Sequence, residues 1–176
     1  MIRHCGAVAA DVALVVGNNS RAGIFAVAQR YNIATAHLST VTHPGDGERD
    51  GAMLEALARA DVDLVVLAGY LKKIGPQVLA AYQGRMINTH PSLLPAYGST
   101  GMYGDRVHAA VLADGLRETA ATVHLVTANY DEGPILDQQR VAVQPDDDVV
   151  TLRTRVQAAE KALLLQWLRQ WTEQDH

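Results

Sequence analysis

Short apolar, β-branched runs alternate along this chain with stretches whose apolar positions recur every three or four residues. Ala13-Leu14-Val15-Val16 reads as a strand and Gly17-Asn18-Asn19-Ser20 as the turn after it. Ser20 is the expected N-cap of a helix from Arg21 to about Arg30. A short strand is expected at Ile33 to His37, a loop at Thr42 to Gly47, and a helix from about Glu48 to Ala60. Asp63 to Ala68 is apolar after its first residue, as strands are in a parallel sheet covered on both faces. Pro76 opens a helix that runs to about Gln83, and Arg85 to Thr89 is the next strand. A long glycine-rich loop spans Pro91 to Gly104, followed by a helix at Asp105 to Ala113 and a strand at Ala121 to Val126. Thr127 to Gly133 is a turn, Pro134 to Val143 resembles an antiparallel strand, and a last helix runs from near Asp147 to near Trp171. Strands and helices alternating at these lengths predict an α/β open sheet.

Composition narrows the picture. The 176 residues make one domain's worth of chain, and 48% are hydrophobic, enough to bury a core without disulfides or metal. The formal net charge is -4 and the isoelectric point near 5.9, with basic residues scattered, so nucleic acid is not an expected partner. A single cysteine, Cys5, excludes an internal disulfide framework and a cysteine-based zinc site. No metal-ligand spacing is present, and no metal is expected. No apolar run reaches membrane-spanning length, and Arg3, His4 and Cys5 interrupt any apolar core at the N-terminus. The expectation is a cytoplasmic protein with no membrane partner, a monomer or a homodimer.

Open α/β sheets place ligands at the carboxyl ends of their strands. Asn88-Thr89-His90-Pro91-Ser92 puts polar groups at such an end. Residues two apart in a strand point the same way and lie roughly 7 Å apart, so Asn88 and His90 can grip one small reacting centre. Acyl transfer suits that pair, because its tetrahedral intermediate carries an oxyanion that needs donors. Asp131, in the turn Asn129 to Pro134, would favour a positively charged His90 if the fold brought the two together. From spacing alone, ordinary loop hydrogen bonding explains Asn88 and His90 as well, and a turn explains Asp131. On the last helix, Val149, Leu152, Val156, Ala159, Leu163, Leu164 and Trp167 form an apolar stripe that includes Glu160. A carboxylate there is paired or serves a ligand. His124 reads as structural and His108 as a loop anchor or helix-face residue. His4, His37, His43 and His176 carry no signal.

The run Asn88-Thr89-His90-Pro91-Ser92-Leu93-Leu94-Pro95 closely resembles the signature of the folate-dependent formyltransferases. Val65 to Tyr70, Val123 to Val126 and Asp131 to Pro134 match that family in order and spacing, and the similarity covers nearly the whole chain. Pro91 and the loop Gly101-Met102-Tyr103-Gly104 with Val107-His108 look like the purine-pathway branch, which formylates glycinamide ribonucleotide. The resemblance implies an open, mostly parallel, Rossmann-like sheet with helices on both faces, and 10-formyltetrahydrofolate as co-substrate. It implies that Asn88 and His90 bind and polarise the formyl oxygen while Asp131 pairs with His90. Leu71, Lys72, Lys73 and Ile74 match the stretch whose backbone holds the pterin ring, with Lys73 in place of the usual apolar residue. Thr127, Ala128, Asn129 and Tyr130 match the loop that closes over the folate. Arg49 matches an arginine near the folate tail, with a solvated helix start as the reading left open. Gln157 and Glu160 match the contacts to the amine substrate.

The family opens with a strand, a Gly-Ser-Asn loop and a helix, whose N-terminus holds the substrate phosphate. Met1-Ile2-Arg3-His4 resembles the tail of that helix, so the resemblance implies an N-terminally truncated domain. Either translation begins upstream, or this is a short form with altered activity, such as a non-catalytic folate-binding domain or one with a different acceptor.

Overall fold

The computed structural model describes residues 8–173. Met1 to His4, expected as a helix tail, lie outside them, as do Cys5 and His176. The described residues divide into two compact units, one of Asp11–Met86 and one of Ile87 to Glu173 together with Val8 to Ala10.

In the first unit, β1 (Leu14–Gly17) and β2 (Ala34–His37) pair in parallel, from Leu14 opposite Ala34 to Gly17 opposite His37. The helix α1 (Gly23–Arg30) connects them and packs on both, as a parallel crossover requires. Its N-cap is Ala22, not Ser20. Asn19 explains the shift: its side chain accepts the Arg21 N–H at 3.0 Å and its carbonyl accepts the Ala22 N–H at 3.0 Å. That turn uses up the residues that would have begun the helix. Next come α2 (Asp46–Arg59), β3 (Val65–Leu67) and α3 (Pro76–Ala81). The strand expected over 63–68 is shorter because the Asp63 carbonyl is taken by the Arg85 guanidinium at 3.2 Å. Asp50 of α2 is buried, and its carboxylate accepts the N–H groups of Gln77 at 2.8 Å and Val78 at 3.2 Å. A carboxylate on one helix therefore caps the start of another, satisfying donors that a helix leaves unpaired.

In the second unit, β4 (Met86–His90, of which Met86 belongs to the first unit), β5 (Glu118–Leu125) and β6 (Ile135–Ala142) lie side by side, with β5 antiparallel to both neighbours. Asn88 stands opposite His124 and His90 opposite Thr122. The helix α4 (Asp105–Ala113) keeps its expected limits. The helix α5 (Val149–Glu173) packs on β5, β6 and α4. It buries Leu152, Val156, Ala159 and Leu163, four members of the expected stripe. Its start is set by Asp148, whose side chain accepts the Thr151 N–H at 2.8 Å while Thr151 Oγ1 accepts the Asp148 N–H at 2.9 Å. Arg153 fastens α5 to α4 through Asp105 at 2.7 Å.

Candidate active site

The end of β4 supplies two of the three side chains singled out by the sequence. His90 is only 4% exposed. Its Nε2 lies 2.9 Å from the carbonyl oxygen of Tyr97. A carbonyl can only accept, so Nε2 carries a proton and donates it. Its Nδ1 lies 3.5 Å from Oδ1 of Asp131, whose side chain is 10% exposed. Both ring nitrogens thus face acceptors, one neutral and one charged. Asp131 sits at φ 55°, in the left-handed region that aspartate enters more readily than most residues. Tyr97 sits there too, at φ 59°, which is unusual for a bulky side chain. Its hydroxyl is hydrogen-bonded to Asp114. The loop passes so close that a Cβ on Gly98 would lie 3.2 Å from the Asp131 Cβ. Unusual backbone conformations gathered around one imidazole are typical of functional sites.

Asn88 points to the same place from β4. Its Nδ2 lies 3.2 Å from Nε2 of His124, its cross-strand neighbour on β5. The other nitrogen of that ring, Nδ1, lies 2.9 Å from the carbonyl of Leu125. His124 is 2% exposed, and its Nε2 is also 3.6 Å from Asp131 Oδ1. Burial lowers its pKa, with the Leu125 carbonyl and Asp131 pulling the other way. A side chain read from sequence as structural therefore adjoins two of the three candidate catalytic groups. The match of Val123 to Val126 to the family marks the strand but not this contact, because a cross-strand neighbour is set by register. The Leu125 carbonyl is itself fixed in place: a Cβ at Gly133 would collide with it, and the Leu125 N–H donates to the Pro134 carbonyl at 2.9 Å.

Glu160 of α5 reaches β4, where Thr89 hydrogen-bonds its carboxyl. Burial raises its pKa, while Thr89, His90 and Lys161 act in the opposite direction. Gln157, one turn earlier, is exposed. Thr127, Ala128, Asn129 and Tyr130 form an exposed loop leading into Asp131, internally braced by Thr127 Oγ1 donating to the Asn129 carbonyl at 3.2 Å. The other expected ligand contacts belong to the Asp11–Met86 unit. There Leu71, Lys72 and Lys73 are exposed and Ile74 is buried. Arg49 donates to the carbonyls of His43 at 2.7 Å and Pro44 at 2.8 Å and pairs with Asp46, so it braces the start of α2. His108 is buried on α4, where burial lowers its pKa.

Comparison with known proteins adds an independent line. The formyl transferase family profile matches residues 3–168. Over 154 residues the chain is 42% identical to a phosphoribosylglycinamide formyltransferase of Mycobacterium tuberculosis, a match covering 88% of this chain and 68% of that protein. The crystal structure of phosphoribosylglycinamide formyltransferase from Bacillus halodurans superposes with a TM-score of 0.87 at 30% identity, covering 96% of this chain and 84% of that one. A formyltetrahydrofolate deformylase from Pseudomonas syringae superposes at 0.83 and 25% identity, covering 94% of this chain and 53% of that one.

Proposed function

The chain belongs to the formyl transferase family, and from that premise we propose that it transfers the formyl group of 10-formyltetrahydrofolate to the primary amine of glycinamide ribonucleotide. Its fold is the α/β formyltransferase fold. The observation that carries the mechanism is the 3.5 Å approach of Asp131 to His90, at the strand end that also bears Asn88.

The amine attacks the formyl carbon, a C–N bond forms, and the formyl oxygen becomes an oxyanion. Asn88 donates to that oxygen through Nδ2–H. His90 donates through Nε2–H, which leaves the Tyr97 carbonyl to do so. Asp131 stabilises the positive charge on the ring. Donors aimed at developing charge are worth most in a buried site, where solvent does not compete. The adduct then collapses, the bond from carbon to N10 of the carrier breaks, and the proton lost by the amine passes through water to N10. Thr127 to Tyr130 contact the folate, while Gln157 and Glu160 contact the amine substrate. The purine branch is supported by the Mycobacterium tuberculosis and Bacillus halodurans relatives. Among the described residues no helix is long and apolar enough to cross a membrane, and we place the protein in the cytoplasm with its small-molecule substrates.

The test is a transfer assay with the purified chain, 10-formyltetrahydrofolate and glycinamide ribonucleotide. Formylated product is expected. Formate released equally fast without the amine would instead indicate hydrolysis, and folate binding without turnover a binding role. Asn88→Ala and His90→Ala should each lower kcat by about 10²- to 10³-fold while folate still binds. Near-normal turnover in both variants refutes these roles.

A further inference from the structure

The carboxamide of Asn88 has a donor edge and an acceptor edge, and only the donor edge can serve an oxyanion. Nothing in an asparagine decides which edge points where; its surroundings must. On one side of Asn88 stands His124, at 3.2 Å. The state of that ring follows from its partners. Its Nδ1 faces the Leu125 carbonyl at 2.9 Å, and a carbonyl only accepts, so Nδ1 holds a proton. Its Nε2 meets the Asn88 amide at 3.2 Å and stands 3.6 Å from Asp131 Oδ1, beyond hydrogen-bond reach, and burial disfavours a second proton on the ring. Nε2 of a neutral ring protonated at Nδ1 has a lone pair and no proton. The atom of Asn88 that meets it must then be Nδ2.

We propose that His124 is a positioning residue: held as its Nδ1–H tautomer by the Leu125 carbonyl, it accepts one Nδ2–H of Asn88 and so fixes which edge of the carboxamide meets the formyl oxygen. This rests on the formyl-transfer reading of the site. With one Nδ2 proton on His124, the second is aimed away, where it can serve the oxyanion. A ring protonated at Nε2 would present a donor instead, attract Oδ1 of Asn88 and turn the amide round. The Leu125 carbonyl prevents this, and Gly133 allows that carbonyl its position because any Cβ would displace it. The chain of control runs from Gly133 through Leu125 and His124 to Asn88, with only Asn88 touching substrate.

Two variants separate positioning from packing. His124→Gln keeps an acceptor oxygen near the place of Nε2, whereas His124→Leu fills the space without one. His124→Leu should lower kcat by about 10- to 100-fold, less than removal of the Asn88 donor itself, with each KM changed by less than about 3-fold. His124→Gln should recover most of that loss. Unchanged kcat in His124→Leu, or equal losses in the two variants, overturns the proposal. Nitrogen-15 NMR of the wild-type imidazole gives a readout that needs neither a variant nor turnover. Protonated Nδ1 and bare Nε2 at His124 are expected, and the opposite tautomer overturns the proposal. A wild-type chain that fails to transfer formyl defeats the function assigned above while leaving this tautomer result standing.

Discussion

At the scale of single residues, Asp131 combines a backbone demand with a charge. Its left-handed φ of 55° suits asparagine as well as aspartate, so Asp131→Asn keeps the turn and removes only the negative charge beside His90. Turnover is expected to fall by about 10²- to 10⁴-fold, the range for loss of acid–base support, with an unchanged denaturation midpoint. Activity within a few-fold of wild type would show that the 3.5 Å approach has no chemical role. Asn88, His90 and Asp131 stand out as candidates in the sequence because each sits in a distinctive local run, and the structure sets His90 3.5 Å from Asp131. His124 does not stand out, since a histidine inside an apolar strand looks like any other core residue until its cross-strand partner is known. Glu160 was legible through a different signal, a charge in an apolar stripe, and the structure supplies its partner, Thr89.

At the scale of elements, periodicity located every strand and helix among the described residues, while side-chain competition moved their ends. The helix α4 kept its expected limits because Gly104 and Gly115 bracket it. By contrast, α1 began late because Asn19 captured its first residues. The cap on α3 could not be read locally at all, because Asp50 lies 27 residues before Gln77. Loss of a capping carboxylate costs about 0.5–2 kcal/mol. Asp50→Ala should sit at the upper end of that range, since it also leaves buried N–H groups of α3 without an acceptor. Urea denaturation followed by circular dichroism checks this. A midpoint equal to that of wild type would mean that α3 finds another cap.

For the whole molecule, α5 ties the architecture to pH. Asp147 lies under Arg155, which donates from Nη1 at 2.6 Å and from Nη2 at 2.9 Å. This pairing, with the Gln144 N–H and Thr151, holds the Asp147 carboxyl well below the usual carboxylate range. A depressed acid stabilises the fold fully above its unfolded pKa, near about 4, and that contribution disappears as pH falls through the folded value. Arg155→Ala should therefore lower the midpoint of unfolding near neutral pH, and the gap from wild type should begin to narrow below about pH 4 and vanish only as pH falls through the folded value. A gap that stays constant with pH would mean that Arg155 acts by packing alone. The fold class was readable because alternating apolar runs leave few architectures open. The antiparallel setting of β5 against β4 was not, since strand direction is decided by tertiary pairing.

The Tyr97 carbonyl gives the site a threshold. A ground-state formyl oxygen has little to offer an N–H that is already satisfied, because one neutral acceptor would merely replace another. Once that oxygen turns anionic the exchange becomes favourable, as charge-assisted hydrogen bonds are roughly twice as strong as neutral ones. In the proposed mechanism, His90 thus contributes little to gripping the incoming carrier and reserves its interaction for the species at the top of the barrier. Because this rival acceptor is main chain, no side-chain truncation deletes it, and the selectivity it imposes belongs to the path of the loop itself.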